Sequence, residues 1–210
     1  MRQVPLLVRY RNGGYSRELP PVVEIKEAPT AALSAVQGDV VMQEPLAHLP
    51  GKPWTTPSGK WTARDGGLFG AETPSAKNGA GMRAPCAIGD GSLDFEMNFN
   101  GANRISLRVE AGDTGRTFRV VISRTSVEIA RNPARGESAD SVEQLARKTL
   151  DLKKARWYPV RLTFKDNALT VQVNETQARA THAIFAEQKT ALNFLVFGDS
   201  AGFRNMRIVK

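Results

Sequence analysis

The feature that most constrains the fold is a strict alternation of apolar and polar residues in short segments. In GSLDFEMNFNG, the apolar residues from Leu93 to Phe99 alternate with Asp94, Glu96 and Asn98. A period of two places the two sets on opposite faces of an extended strand. The segment therefore predicts a strand with one face in a core and the other face at the surface.

Further segments continue this series of strands and are separated by Gly, Asn and Asp. They are RISLRVE, TFRVVIS, SVEIARN, YPVRLTF, ALTVQVN, ALNFLVF and GFRNMRIV, at 104–110, 117–123, 126–132, 158–164, 168–174, 191–197 and 202–209. Asp166-Asn167 predicts a tight hairpin between two of them. Short strands at this spacing predict an all-β sandwich, which at 210 residues can remain one domain.

The segment SADSVEQLARKTLDL is open to two interpretations. Ser138 to Ser141 offer helix caps, and Val142, Leu145 and Ala146 have helical spacing. The alternative is a loop that leads into a strand at 146–152. We favour the strand, because the stretch that ends in Leu-Asp-Leu alternates acceptably.

The first 45 residues differ from the rest because prolines interrupt every potential element: Pro5, Pro20, Pro21, Pro29 and Pro45. We interpret residues 1–45 as an arm or linker, in which 22–25 could add a short edge strand, and residues 46–210 as the sandwich domain.

The net charge and the absence of known binding motifs limit which classes of partner the sequence favours. The net charge of +8 favours polyanions through long-range steering. The sequence contains no helix-turn-helix, RNP-type strand or zinc-finger spacing that would indicate nucleic-acid binding. It also contains no stretch of about 18 apolar residues that would indicate a membrane span. The first residues lack the apolar region of a signal peptide, so the chain is either cytoplasmic or a piece of a longer exported, periplasmic or extracellular protein. Cys86 cannot form an intrachain disulfide, because it has no second cysteine to pair with, and is expected to be an inert, at least half-buried thiol.

Three segments carry a family resemblance: GKWTARDGGLFG at 59–70, the pair WYPVRL and LTVQVN at 157–162 and 169–174, and FRNMRI at 203–208. Together they resemble the concanavalin A-like domains of bacterial glycan-degrading proteins, including the 3-keto-disaccharide hydrolase-type domain. The resemblance implies a two-sheet antiparallel jelly-roll sandwich that works on carbohydrate. The sequence departs from that family at Asn174-Glu175, which replaces the usual Asn-Gly turn.

A second resemblance concerns the segment LLVRYRNGGYSR at 6–17, which is similar to the closing stretch of bacterial sulfatases. It implies that the chain is the C-terminal part of a sulfatase-like polypeptide and accompanies a catalytic domain. A sulfatase nucleophile signature is absent, since Cys86 is followed by Ala-Ile-Gly.

Asp94 and Glu96 are the candidate catalytic residues, because positions i and i+2 of a strand share one face. Two neighbouring carboxylates are what a retaining glycosidase requires. Laminarinase-type enzymes of this fold have a third acid on that strand, which is missing here. The alternative is that the pair belongs to a solvated polar face.

Candidate ligand-binding residues are arginines at alternate positions of two adjacent strands, Arg104, Arg108 and Arg119, with Arg161 as a further candidate. Guanidinium groups bind carboxylate or sulfate bidentately, so this face could hold an anionic or sulfated glycan. The alternative is that these arginines pair with Asp94, Glu96 and Glu110.

Aromatic and amide side chains complete the predicted site. Trp54 is expected to be exposed and to stack on a sugar, with Asn98 as a polar contact, whereas Trp61 is expected in the core. His182 is expected to anchor a loop by a hydrogen bond. No metal site or cofactor is predicted, since the two histidines lie in different contexts, although a structural calcium ion is left open.

Three functions remain open on this evidence, because one architecture hosts all of them. The preferred one is a carbohydrate-binding or accessory module. The alternatives are a glycoside hydrolase that uses Asp94 and Glu96, and a structural domain that only packs against a partner.

Overall fold

The computed structural model describes residues 33–34, 36–73, 79–112, 115–133, 137–138 and 141–210. Within them the chain forms β1 Val40–Glu44, β2 Thr55–Ser58, β3 Lys60–Arg64, β4 Gly67–Ala71, β5 Ala80–Ile88, β6 Gly91–Phe99, β7 Ala102–Ala111, β8 Arg116–Ser123, β9 Ser126–Arg131, β10 Glu143–Thr149, β11 Trp157–Lys165, β12 Ala168–Val173, β13 Thr176–Thr181, β14 Lys189–Gly198 and β15 Ala201–Val209, with a short 3-10 helix at Ala183–Phe185. No helix in these ranges is long and apolar enough to cross a membrane.

The strands form two antiparallel sheets. The eight-stranded sheet has the order β13-β12-β11-β6-β15-β4-β3, and β1 pairs with β15. The seven-stranded sheet has the order β10-β9-β8-β7-β14-β5-β2. The chain passes from one sheet to the other repeatedly, for example between β6 and β7 and between β14 and β15. The two-sheet antiparallel sandwich that the alternation predicts is therefore confirmed.

The core lies between the two sheets and contains the apolar face of each strand. Phe95 of β6 packs edge-on against Phe194 of β14, with ring centroids 5.4 Å apart, and Phe194 packs against Phe203 of β15 at 5.0 Å. These three rings join the sheets at the centre of the sandwich. Near the 3-10 helix, Phe118 and Phe185 pack at 5.0 Å.

The strands predicted from the alternation are confirmed as β6 to β9, β11, β12, β14 and β15. The ambiguous segment forms β10, which begins at residue 143 rather than 146 and pairs with β9. Asp166-Asn167 joins β11 to β12, as predicted, and Asp166 takes a positive φ of 53°. The missing glycine at Asn174-Glu175 is accommodated because Asn174 supplies the positive φ, 52°.

The N-terminal part of the chain contributes to the eight-stranded sheet before residue 46. β1 lies within the predicted arm and pairs with β15 from Val40 to Glu44. Asp39 and Lys210 continue this ladder with two backbone hydrogen bonds of 3.0 Å. The possible edge strand at 22–25 and the sulfatase-like segment at 6–17 lie outside the described residues.

Candidate functional site

The face of the seven-stranded sheet that is turned away from the core carries a groove of about 480 Å³. We call it the arginine groove. It is lined by Arg104, Ser106 and Arg108 of β7, Arg119 and Val121 of β8, Glu128 of β9, Asn132, and Leu195 and Phe197 of β14. The sequence alternation explains this set, since the residues between them, such as Ile105, Leu107 and Val120, are buried in the core.

The sheet register decides which of these side chains are neighbours. Arg108 lies directly opposite Arg119 on β8 and opposite Asn193 on β14. Ser106 lies opposite Val121 and Leu195, and Arg104 lies opposite Phe197. The groove thus has a polar row at Arg108 and an apolar row around Ser106.

The arginines of the groove are not neutralised by the carboxylate next to them. Glu110 instead accepts hydrogen bonds from Arg83 at 2.9 and 3.3 Å and from Asn193 at 3.1 Å. The hydrogen bond from Arg83 is the main cause that lowers the pKa of Glu110. In the part of the chain that the structure describes, Arg104, Arg108 and Arg119 form no ion pair.

Arg119 and Arg104 differ in how they are held. The Nε of Arg119 is buried and finds no hydrogen-bond partner among the described residues. Buried donors of this kind usually have a partner in a protein. The guanidinium of Arg104 instead stacks over the Phe197 ring, 4.2 Å from its centroid.

Asn132, which also lines the groove, is held in place by Thr117. Its side-chain amide donates to Thr117 Oγ1 at 2.8 Å, and its backbone N–H donates to the Thr117 carbonyl at 3.0 Å. The carboxylate that lines the groove is Glu128, which lies opposite Val121 and, at the sheet edge, opposite Arg147.

Arg161 does not join this group, which corrects the prediction. It lies on β11 in the eight-stranded sheet, where it donates to both oxygens of Asp94 at 2.7 and 2.8 Å and to the Ser34 carbonyl at 2.7 Å. The periodicity of β11 gives the face of Arg161 but not its sheet. Asp94 and Arg161 are only 18% and 15% exposed.

Glu96 is bound in a similar way on the same face. Arg204 Nε and Nη2 donate to its Oε2 at 2.9 and 2.6 Å, and Asn205 donates to its Oε1 at 2.8 Å. All four oxygens of the predicted catalytic pair therefore accept hydrogen bonds from the protein. Of the ion pairs that the sequence left open as an alternative, Asp94 with Arg161 forms, whereas Glu96 pairs with Arg204 and Glu110 pairs with Arg83.

Trp54 is buried, which corrects the prediction that it is exposed. Only 8% of its surface is accessible, and it belongs to the core cluster. Its backbone N–H closes a turn to the Gly51 carbonyl, after which the chain enters β2. Trp61 is in the core, as predicted.

Asn98 is also buried, at 6% exposure, between Trp157 and Gly202 in the sheet register. Its side chain is therefore not at an open surface, although the alternation correctly places it away from the core. His182 anchors its loop, as predicted, by accepting a hydrogen bond from Ile184 N–H at Nδ1.

Sequence reasoning missed six of the groove residues: Ser106, Val121, Glu128, Asn132, Leu195 and Phe197. The signal was present, because the alternation in ALNFLVF and SVEIARN puts Leu195, Phe197 and Glu128 on the polar side of their strands. Within the described ranges, no group of three or more His, Cys, Asp or Glu residues is arranged to hold a metal ion.

Comparisons with known proteins agree on the architecture. No protein-family model matches the chain, and no curated protein matches it. Among solved structures, the carbohydrate-binding module CBM66 of Bacillus subtilis is similar with a TM-score of 0.58 at 13% identity, over 75% of this chain and 95% of that one. The β-glucanase of Bacillus licheniformis is similar with a TM-score of 0.61 at 11% identity, over 83% and 100%. The fold is the concanavalin A-like jelly roll.

A third similar structure is a Bacillus subtilis protein of unknown function with a galectin-like fold. Its TM-score is 0.65 at 12% identity, over 83% of this chain and 97% of that one. The jelly roll thus occurs in a binding module, in an enzyme and in a protein without a known function, so the site has to supply the functional argument.

Proposed function

We propose that this protein is a carbohydrate-binding module that binds glycan in the arginine groove. The observation that carries the proposal is the groove itself, in which three arginines have no ion-pair partner among the described residues. The jelly-roll fold supports it, since CBM66, a carbohydrate-binding module by name, has the same architecture over most of this chain.

The lining of the groove suits a sugar. Ligand sites combine apolar contact surface with a few polar groups that fix orientation. Leu195 and Val121 offer apolar surface to the C–H groups of a sugar ring. Ser106 and Asn132 offer groups that can hydrogen-bond its hydroxyls.

An anionic or sulfated glycan fits the charge better than a neutral one. The chain has a net charge of +8, and three guanidinium groups line one groove. Guanidinium binds carboxylate and sulfate through two parallel hydrogen bonds.

We also propose that the module accompanies a catalytic domain in a longer exported chain.

Affinity electrophoresis through gels that contain one polysaccharide each tests the binding proposal. We expect dextran sulfate or polygalacturonate to retard the wild type at low salt and to do so less at high salt, because exposed charges are screened. The double variant R108Q/R119Q should migrate freely. If no neutral or acidic polysaccharide retards the wild type at low salt, the proposal is wrong.

R179Q is the matched control, because it removes one positive charge from the other sheet. Arg179 is exposed on β13 and is not part of the arginine groove. It should keep nearly all of the retardation. Equal losses in R179Q and in a single groove variant would mean that only net charge matters.

A glycoside hydrolase is the second candidate function, because the β-glucanase shares the fold. In such an enzyme Asp94 and Glu96 would be the acids, but every oxygen of both is occupied by Arg161, Arg204 or Asn205. We therefore favour the binding module. Release of reducing ends from β-glucans that D94N and E96Q abolish, while binding is retained, would reverse this preference.

A further inference from the structure

The three arginines of the groove lie at two separate levels along the direction of β7. Arg104 and Arg108 are four residues apart on one strand face, which places their Cα atoms about 13 Å apart. Arg119 lies opposite Arg108, whereas Arg104 lies opposite Phe197 on one side and Ser123 on the other. The groove therefore has a paired-arginine position and a single-arginine position.

The paired-arginine position has two facing positive charges that a bound acidic group would neutralise. Like charges directly opposite each other in a sheet repel. The neighbouring carboxylate, Glu110, is engaged by Arg83 and Asn193, and Glu128 forms no ion pair with a described residue. The buried Nε of Arg119 also has no acceptor in the described part of the chain.

The single-arginine position is held differently. Stacking on Phe197 fixes the plane of the Arg104 guanidinium without using its N–H groups as donors. Those N–H groups are therefore available to an acceptor near the end of the groove. The Cα atoms of Arg104 and Arg108 are farther apart than one sugar ring is long.

We propose that the two positions bind two acidic groups of one glycan chain at the same time. The ligand is then an oligosaccharide with a carboxylate or a sulfate ester on more than one residue. This inference rests on the proposed glycan binding in the arginine groove, which it specifies.

The paired-arginine position is tested by NMR of the arginine Nε–H groups with three monosaccharides. Galacturonic acid supplies a carboxylate, galactose 6-sulfate supplies a sulfate ester, and galactose is their neutral match. We expect one or both acids to shift the Arg119 Nε–H resonance, and galactose to leave it unchanged. The two acids identify which anion is bound, and an unshifted resonance with both acids would contradict the inference.

The single-arginine position is tested by ligand length, with isothermal titration of galacturonic acid and tetragalacturonate. If sulfate rather than carboxylate is the anion, the matched sulfated galactose oligomer replaces them. R119Q should weaken the monomer and the tetramer at least about tenfold, since a charge-assisted bidentate contact is lost. R104Q should weaken only the tetramer, and R179Q should weaken neither.

R108K and R119K separate a guanidinium contact from plain charge. Lysine keeps the charge but cannot form two parallel hydrogen bonds. We expect both lysine variants to lose affinity for the acid. Wild-type affinity in both, or an equal effect of R104Q on monomer and tetramer, would overturn the inference. Binding of neutral oligosaccharides alone would overturn it while the proposed function stands, whereas no binding of any glycan would overturn both.

Discussion

At the scale of single residues, Lys189 shows how burial changes the chemistry of a charged group. Its side chain has no exposed surface. The ammonium donates to the Phe185 carbonyl at 2.6 Å and to the Gly89 carbonyl at 3.0 Å, and lies 4.3 Å from the centre of the Phe164 ring. Burial lowers the pKa of Lys189 to about 8, against the pull of Asp90.

The lowered pKa of Lys189 predicts stability that rises with pH. Between about pH 8 and pH 10.5 the unfolded chain binds the proton more tightly than the folded chain. The free energy of unfolding should therefore gain up to about 3 kcal/mol from this residue across that window. Urea unfolding of wild type and K189M at pH 7, 8, 9 and 10 measures it.

K189M lacks the titrating group, so the other titrations cancel when the two proteins are compared. The free energy of unfolding of the wild type minus that of K189M should increase steadily above pH 8. A constant difference at all four pH values would mean that Lys189 has an ordinary pKa.

Cys86 is predicted to be an unreactive thiol. It is half-buried, its Sγ lies 3.5 Å from the Lys189 carbonyl, and burial, reinforced by Glu110, raises its pKa to about 12. Because the thiolate is the reactive form, labelling with a disulfide reagent at pH 8 should be at least about 100-fold slower than in urea. Glutathione is the control, and equal rates for glutathione and the folded protein would contradict the prediction.

At the scale of elements, β6 is joined to both of its neighbours through its polar face. Asp94 binds Arg161 of β11, and Glu96 binds Arg204 of β15. Both pairs are mostly shielded from solvent. In contrast, Asp90 binds Lys165 with exposures of 45% and 73%.

We predict that D94N destabilises the protein by about 2 kcal/mol, because it leaves Arg161 shielded and without its ion pair. D90N is the matched control and should cost less than about 0.5 kcal/mol, since an exposed pair is screened by water and salt. Urea unfolding at pH 7 measures both. Equal losses for D94N and D90N would show that the shielding of Asp94 has no energetic effect.

At the scale of the whole molecule, the ion pairs of Asp94 and Glu96 and the arginine groove lie on different sheets. On the eight-stranded sheet, Asp94 and Glu96 are bound in ion pairs, and Arg161 also donates to the Ser34 carbonyl. The outward face of the seven-stranded sheet carries the arginine groove. The core keeps the two faces on opposite sides of the sandwich.

This division predicts opposite effects for variants on the two faces. E96Q should lower the free energy of unfolding and leave polysaccharide retardation unchanged. R108Q should weaken retardation and leave the free energy of unfolding within about 0.5 kcal/mol, because Arg108 is exposed and forms no ion pair with a described residue. The free energy of unfolding and the retardation by polysaccharide are measured for both variants. A loss of retardation in E96Q would contradict the separation of ion pairs and groove between the two sheets.

Local patterns in the sequence were sufficient for the strands and for the face on which each side chain lies. Alternation puts Arg104 and Arg108 on one face of β7, and the structure confirms it. Asp166-Asn167 marks its hairpin because Asp tolerates a positive φ. The sequence also correctly put Trp61 in the core.

The tertiary structure alone decided which strands are neighbours and which polar groups find partners. A period of two is identical in both sheets, so it could not separate Arg161 from Arg119 or reveal that Glu110 binds Arg83. The burial of Trp54 depends on a turn at Gly51 and on packing against distant strands. Local patterns therefore specify the sandwich and its polar faces, whereas long-range strand pairing brings three arginines into one groove without a carboxylate partner among the described residues.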